Sequence, residues 1–189
     1  MTRKEAILKA AIELFMEKGY NGTATSEIAE RAGVAHGTVF HHFGKKENLL
    51  LELTEATIKE IYERTANFPT EGLSGLDALI KTLRMTLEFI DLRWNSIYVL
   101  MQETPILMSP NMIGGEVSAF FHKIADMRRA LIERGIADGS IRNCNVDAAV
   151  YAIEFLLSGI THTRMKGLLE IPDNITEEAL GLFRKSIEA

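Results

Sequence analysis

The sequence predicts an all-α protein of about nine helices, and three observations support this fold class. Apolar residues recur at helical spacing along most of the 189 residues. No segment alternates apolar and polar residues between turn signals, as a half-buried strand does. Only four prolines, which would interrupt helices, occur in the chain: Pro69, Pro105, Pro110 and Pro172. Because 47% of the residues are hydrophobic and 25% are charged, we expect the helices to pack around a sizeable core.

Four helices are predicted in the first 66 residues. The first covers residues 3–18, where apolar side chains recur every three or four positions. The second covers residues 25–32 and begins with Thr25 as its N-cap. A short third helix is expected at residues 36–43 and a longer fourth helix at residues 46–66.

Helical spacing continues beyond Pro69 and predicts a helical body. Its helices are expected at residues 73–92, 94–103, 112–134, 146–168 and 176–187. A break is expected at residues 104–110, which contain two prolines, and a loop is expected from Gly135 to position 145. We therefore divide the chain into a head, residues 1–47, and a body, residues 48–189.

Charge is distributed unevenly between these two parts. The whole chain has a net charge of −5, which by itself argues against a nucleic-acid-binding protein. Residues 1–50, however, hold seven Lys/Arg and six Asp/Glu, a net charge of +1, so the excess of acid lies in the body. A small DNA-reading head needs only a local basic patch, and the acidic total does not exclude one.

Composition and motifs exclude several other classes of protein. Cys144 is the only cysteine, so neither a disulfide framework nor a cysteine-based metal site is possible. No apolar run reaches the roughly 18 residues of a membrane span, and the first residues lack the apolar segment of a signal peptide. The chain shows no Ser/His/Asp arrangement, phosphate-binding loop or metal-spaced cluster. We expect a cytoplasmic protein that is not an enzyme and has no cofactor, metal or membrane partner.

Residues 25–50, with the sequence TSEIAERAGVAHGTVFHHFGKKENLL, match the plan of a helix-turn-helix. Ala29 is small enough to let the two short helices approach closely, and Gly33 allows the positive φ that the tight turn between them needs. Val39 and Phe43 are spaced to anchor the second of these helices to a core. Its polar residues are left facing outward, where they could enter a major groove: His36, Gly37, Thr38, His41 and His42.

Four segments of the head carry a more specific signal: GY at residues 19–20, TSEIAERAGV at 25–34, FHHF at 40–43 and KENL at 46–49. In this order and spacing they resemble the head of the TetR (tetracycline repressor) family, over about a quarter of the chain. The sequence departs from the family pattern at Phe40, where the family usually has a tyrosine whose hydroxyl often meets a phosphate. Phe40 cannot donate that hydrogen bond.

The resemblance implies a helical-bundle body and a homodimeric repressor that binds a palindromic operator in double-stranded DNA and is released by a small hydrophobic inducer. Two other functions stay open: a transcriptional activator, and a protein-interaction module that retains the helix-turn-helix. Thr25 and Lys46 are expected to contact phosphates, and His42 either contacts DNA or serves packing. The full set of predicted DNA-binding residues is Thr25, Ser26, His36, Gly37, Thr38, His41, His42 and Lys46.

The body is rich in methionine and aromatic residues, which adapt to irregular cavities. We predict a mostly apolar ligand pocket of roughly 300–1,000 Å³, the usual size for drug-sized ligands. The alternative is that these side chains are ordinary core. The predicted ligand-binding residues are Phe89, Trp94, Tyr98, Met101, Phe120, Phe121, Tyr151 and Phe155.

The helix predicted at residues 146–168 has a broad apolar stripe, which with the last helix could form half of a four-helix dimer interface. A second copy of the chain is favoured as the partner because twofold symmetry suits a palindromic site. The alternative is that the stripe faces the core of its own chain. The predicted interface residues are Val150, Ile153, Leu157, Gly159, Ile160 and Phe183.

Overall fold

The computed structural model describes residues 1–103, 115–167, 170, 172 and 174–189, with the backbone alone at positions 115 and 116. These residues form nine helices and contain no strand apart from one isolated bridge between Ile141 and Glu188. The helices are α1 Arg3–Lys18, α2 Thr25–Arg31, α3 His36–Phe43, α4 Lys46–Ala66, α5 Gly75–Leu92, α6 Trp94–Gln102, α7 Gly115–Asp138, α8 Val146–Lys166 and α9 Ile175–Ile187. The all-α prediction is confirmed. The predicted break at residues 104–110 lies outside the described residues.

None of the described helices is both long and apolar enough to serve as a membrane span.

The N-termini of the first two helices are stabilised by different capping interactions. At the start of α1, Thr2 Oγ1 accepts from the Glu5 amide at 3.2 Å, and the Glu5 carboxylate accepts from the Thr2 amide at 2.8 Å. The expectation that Thr25 caps α2 was wrong, because Ala24 holds the N-cap position and Thr25 is the first helical residue. The Glu27 carboxylate instead accepts from the Ala24 amide at 3.0 Å, so the Thr25 hydroxyl is not used for capping.

The described chain divides into two compact units, and α4 and α7 each contribute residues to both. Of the described residues, the first unit comprises 1–59, 93–103 and 115–118, so it contains α6 as well as the helix-turn-helix. Its core joins apolar side chains of α1, α2, α3 and the start of α4 to Val99 of α6. The main members are Ile7, Leu14, Phe15, Ile28, Val39, Phe43, Leu49, Leu50 and Val99. The head boundary that we place at residue 47 stays a prediction.

The second unit comprises residues 60–92 and 119–189 and has its own apolar core. Side chains of α5, α7, α8 and α9 form this core: Leu76, Leu79, Leu83, Leu87, Ile132, Ile153, Leu157, Leu180 and Ile187. Ile141, in the connection between α7 and α8, is also buried there. The unit is therefore a bundle of helices around one continuous core.

Gly135 does not begin a loop as predicted, since α7 continues through it to Asp138. The reason is tertiary: a Cβ on Gly135 would lie 2.4 Å from the Ile141 Cδ1, and a Cβ on Gly75 would lie 2.1 Å from the Gly135 nitrogen. The two glycines let the start of α5 approach the end of α7. At this contact the Asp138 carboxylate accepts from the Gly75 amide at 2.7 Å, which satisfies a helix-terminal amide of α5.

We expect Gly75→Ala to destabilise the second unit by about 1–3 kcal/mol or more, because the added methyl group would collide with backbone rather than with a flexible side chain. The matched control is Gly181→Ala in α9, where an added Cβ meets nothing within 4 Å. That change should leave stability equal or raise it by up to about 1 kcal/mol. Urea unfolding of both variants measures the difference, and equal midpoints would contradict the close approach of α5 and α7.

Candidate nucleic-acid interface

The helix-turn-helix is built from two helices that are too short to be stable alone. α2 has seven residues and α3 has eight. In the turn between them Gly33 has φ +66°, as predicted, and the Val34 amide donates to the Ala29 carbonyl at 3.0 Å. Val39 and Phe43 are buried in the core of the first unit, which fixes the orientation of α3.

The face of α3 opposite these anchors is exposed. His36, Gly37, His41 and His42 are exposed and Thr38 is half-buried, so the residues predicted to read bases lie on the accessible sides of α3. Accessibility alone does not assign them a DNA contact, and that assignment stays a prediction.

An open groove of about 580 Å³ runs between α3 and the beginning of α1. Its α3 side is lined by Gly37, Thr38, His41 and His42, and its other side by Thr2, Arg3 and Lys4. Our reading of the sequence did not include Arg3 and Lys4 among the DNA-binding residues, although two adjacent cations at the start of a helix are a visible signal. Lys4 is already ion-paired with Glu52.

The first residues of α2 lie on the other flank of α3. Thr25 Oγ1 and His36 Nε2 are 3.0 Å apart, which joins the first residue of α2 to the first residue of α3. A concave surface here encloses a volume of about 260 Å³. It is lined by Thr25, His36 and Phe40 together with Lys45 and Lys46 at the beginning of α4. Ser26, the remaining predicted contact, is exposed in the first turn of α2.

Lys46 is more constrained than a solvated lysine. Its ammonium donates to the Tyr20 carbonyl at 2.8 Å and to the Thr23 carbonyl at 2.9 Å, and it lies 4.2 Å from the centroid of the Tyr20 ring. Lys46 thus holds the α1–α2 connection against the start of α4. An ammonium group has three donors, and these two contacts leave one of them unassigned.

Tyr20 makes a second contact that holds the α1–α2 connection. Its backbone amide donates to Glu103 Oε1 at 3.1 Å, which connects the α1–α2 loop to the residue that ends α6. Its hydroxyl is buried and makes no hydrogen bond with the described residues. Burial, with smaller contributions from the Glu47 and Glu103 carboxylates, raises the pKa of Tyr20 to about 12, so the hydroxyl stays neutral at physiological pH.

Two cations of the head are committed to carboxylates of the head itself. The Arg31 guanidinium makes two hydrogen bonds with the Glu17 carboxylate, at 2.9 and 3.0 Å, and these hold the pKa of Glu17 below its usual range. Lys18 is ion-paired with Glu27. Arg31 and Lys18 are consequently poorer candidates for phosphate contacts than Lys46.

Within the part of the chain that the structure describes, no three His, Cys, Asp or Glu side chains are grouped so that they could hold a metal ion.

The residues predicted to bind a ligand are found in both units. In the first unit, the rings of Trp94 and Tyr98 are neighbours on α6, with centroids 6.3 Å apart, and Met101 is half-buried. In the second unit, Phe89 is buried with the Arg64 guanidinium 5.3 Å from its ring centroid.

Phe120 of α7 is half-buried, and its ring centroid lies 5.5 Å from that of Tyr62. Phe121, Tyr151 and Phe155, by contrast, are exposed at the surface of the chain, so the prediction that they line an interior pocket was wrong for this fold of a single chain. Helical geometry explains why Tyr151 and Phe155 are exposed: each is about 160° from the buried Ile153 around α8.

The second unit also contains a buried charge. Arg128 of α7 is ion-paired with Glu154 of α8, and desolvation lowers the pKa of the Arg128 guanidinium to about 10. The arginine therefore stays charged at neutral pH and joins the two helices beside the apolar core.

Three of the predicted dimer-interface residues belong to the core of their own chain. Val150, Ile153 and Leu157 are buried in the second unit, which corrects the prediction that they face a second copy. Ile160 and Phe183 are half-buried and pack against the same core. Gly159 is exposed, and a Cβ added there would meet nothing within 4 Å.

Comparison with known proteins identifies the head. The family "Bacterial regulatory proteins, tetR family" matches residues 7–53, which extend from α1 into α4. Among related proteins, the HTH-type transcriptional repressor KstR2 of Rhodococcus jostii is 25% identical over 141 residues, which are 75% of this chain and 69% of that protein. The HTH-type transcriptional regulator AcrR of Shigella flexneri is 39% identical over 88 residues, 44% of this chain and 41% of that protein.

Solved structures are similar to nearly the whole chain. A regulatory protein of the tetR family from Rhodococcus RHA1 has a TM-score of 0.84 at 22% identity and covers 99% of this chain and 97% of its own. KstR2 of Mycobacterium tuberculosis, named as a ketosteroid transcriptional regulator, has a TM-score of 0.81 at 20% identity. The match covers 100% of this chain and 96% of that chain. FadR of Bacillus subtilis, solved with stearoyl-CoA, has a TM-score of 0.80 at 21% identity. The match covers 97% of this chain and 98% of that chain.

These likenesses confirm the predicted architecture, a helix-turn-helix head followed by a helical bundle. The match to the head covers the helices that carry the motifs, and the likeness in fold extends to the body, where the sequence offered no motif. Residues 7–53 belong to the tetR family of bacterial regulatory proteins, and the fold of the whole chain is like that of solved regulators of this family.

Proposed function

We propose that this protein is a transcriptional repressor that binds a palindromic operator in double-stranded DNA as a homodimer and is released by a small hydrophobic ligand. The observation that carries the proposal is α3, whose apolar side is fixed in the core by Val39 and Phe43 while its polar side is exposed. Repressors of the same family, such as KstR2, are among the related proteins.

Lys46 is the best-defined candidate for a phosphate contact. Two of its three donors hold the carbonyls of Tyr20 and Thr23, so the ammonium is already positioned and can give the third donor to a phosphate oxygen. Thr25, which lines the same concave surface as Lys46, adds a hydroxyl donor, and exposed Ser26 in the first turn of α2 adds another. Base contacts are assigned to the outward residues of α3, which are His36, Gly37, Thr38, His41 and His42.

Lys46→Ala tests this arrangement. We expect the slope of log affinity against log salt to fall by about 0.9, the contribution of one neutralised phosphate on duplex DNA. Lys81→Ala, which removes one exposed positive charge from α5, is the control and should leave the slope unchanged.

The measurement uses the DNA that the wild-type protein selects from a random duplex library, at a temperature where circular dichroism shows each variant folded. An unchanged slope in folded Lys46→Ala would remove Lys46 from the phosphate contacts. If the wild type selects no duplex and shows no salt-dependent binding, the protein-interaction alternative is favoured over the repressor.

The outer faces of α8 and α9 support dimerisation with a second copy. Tyr151 and Phe155 stack on each other at the surface, with centroids 6.3 Å apart, and are 63% and 72% exposed. Leu182 on α9 is 69% exposed. Large apolar side chains grouped at a surface are typical of an interface, and Gly159 on α8 leaves room for a close helix contact.

Phe155→Glu should therefore convert the dimer to monomers, because a twofold interface would bury two carboxylates without partners. Leu92→Glu is the matched control, since it places the same charge at a 62% exposed apolar residue at the end of α5. Sedimentation equilibrium gives the mass of each. A Phe155→Glu protein that stays dimeric, or a monomeric wild type, would contradict this interface.

Two kinds of observation support a hydrophobic ligand. In the second unit, buried Phe89 and half-buried Phe120 contribute aromatic surface. On α6, Trp94 and Tyr98 contribute aromatic surface and Met101 contributes a flexible thioether. Among the similar structures, FadR of Bacillus subtilis was solved with stearoyl-CoA, and AibR, with a TM-score of 0.77 at 19% identity, was solved with isovaleryl coenzyme A and operator DNA. These ligands guide the choice of probes.

A ligand that displaces α6 would disturb the head directly. Val99 of α6 is part of the core that anchors α3, and Glu103 at the end of α6 holds the Tyr20 amide. Since Lys46 holds the carbonyl of the same tyrosine, a shift of α6 would also disturb the start of α4. This is a physical route by which a ligand could lower operator affinity.

Titration of the protein–operator complex with stearoyl-CoA or isovaleryl-CoA should lower operator affinity at least about tenfold for one of them, a coupling of about 1.4 kcal/mol. Coenzyme A without an acyl group is the control and should have a smaller effect. Glu103→Ala should reduce the coupling in a protein that still binds the operator. No change in operator affinity with either thioester would contradict an acyl-thioester inducer.

A further inference from the structure

Phe40 is an apolar exception on the accessible surface of α3. Its side chain is 70% exposed, whereas the other two large apolar residues of this helix, Val39 and Phe43, are buried. Its neighbours on the accessible surface are polar or small. The ring does not contribute to the core of the head, so the stability of the fold does not explain why a phenylalanine stands here.

The position of Phe40 on α3 is informative. Side chains on a helix are separated by about 100°, which puts Phe40 between the outermost residue, His41, and the flank that faces α2 and α4. On that flank the ring lines one concave surface with Thr25, Lys45 and Lys46. Phe40 therefore lies between the residues assigned to bases and those assigned to phosphates.

One group of the major groove fits a side chain in this position. A phenylalanine has no hydrogen-bonding group and cannot read the polar edges of bases, but the thymine 5-methyl is apolar and is a partner for it. The C5 carbon lies on the side of the base closest to its own sugar–phosphate backbone. A ring placed between phosphate and base contacts would meet this methyl first.

On the basis of the proposed operator binding, we propose that Phe40 is a specificity-determining residue that contacts the 5-methyl group of a thymine in each half-site. The departure from the family's usual tyrosine has a consequence here. A hydroxyl at this position would favour a phosphate, a contact that is the same for all sequences, whereas the bare ring favours one base.

Deoxyuridine tests the contact with the smallest possible change, because it lacks only the methyl group and pairs as thymine does. Each thymine of the DNA selected by the wild-type protein is replaced in turn, symmetrically in both half-sites. We expect one position where the replacement weakens wild-type binding by about fourfold per half-site, the value of one buried methyl group. Phe40→Ala should bind the two DNAs equally.

Phe40→Tyr and Leu92→Ala are the controls. Phe40→Tyr adds the hydroxyl that favours a phosphate, so it should discriminate between thymine and uracil less than the wild type does. Leu92→Ala truncates an exposed apolar side chain outside the head and should leave the discrimination unchanged. Because Phe40 is outside the core, its variants should melt at the wild-type temperature, which circular dichroism checks.

Three results would overturn the inference. The first is equal discrimination in the wild type and Phe40→Ala. The second is a loss of affinity in Phe40→Ala that is the same for all sequences, which would assign the ring to the DNA backbone. The third is unchanged DNA binding in Phe40→Ala together with loss of self-association, which would assign the ring to a protein contact. A wild type that selects no DNA would instead overturn the proposed function itself.

Discussion

Burial of Val39 and Phe43 holds α3 in the core of the head. An eight-residue helix cannot persist in water on its own, because too few hydrogen bonds offset the cost of its nucleation. Burial of these two side chains supplies the missing stability and leaves the remaining faces accessible. The same core includes Val99 of α6, so the orientation of α3 is coupled to a helix that lies about 60 residues further along the chain.

Polar contacts, in addition to the apolar core, hold the α1–α2 connection in place. The Lys46 ammonium and the Glu103 carboxylate both bind the backbone of Tyr20, the first at its carbonyl and the second at its amide. Partly buried charges are costly unless they are hydrogen-bonded, and each of these charges is satisfied by backbone groups that the loop itself leaves open. The α1–α2 connection is thereby held from two sides. A structural role for Lys46 is compatible with a phosphate contact, since the ammonium has a donor for each.

The body shows why an apolar pattern can be read in two ways. On α8 one face is buried in the core of the second unit, while Tyr151 and Phe155 on the opposite face are exposed. Both faces are apolar, so the sequence identified the helix but assigned its faces incorrectly. Ile153 and Leu157 are the α8 side chains that are buried with apolar side chains of α5, α7 and α9. Tyr151 and Phe155, which we had predicted to line a pocket, are exposed on that face.

The amino-acid sequence was enough to predict the all-α fold, the helix-turn-helix, the turn at Gly33 and the likeness to the TetR family, because these follow from interactions between residues a few positions apart. Helical spacing, capping and turn conformation are local properties that a linear pattern records. The sequence did not predict that Gly135 lies inside α7, that Lys46 and Glu103 both bind the backbone of Tyr20, or which face of α8 is buried. Each of these depends on a contact between residues that are distant in the chain. No local pattern encodes such a contact, because its energy appears only when the helices have packed.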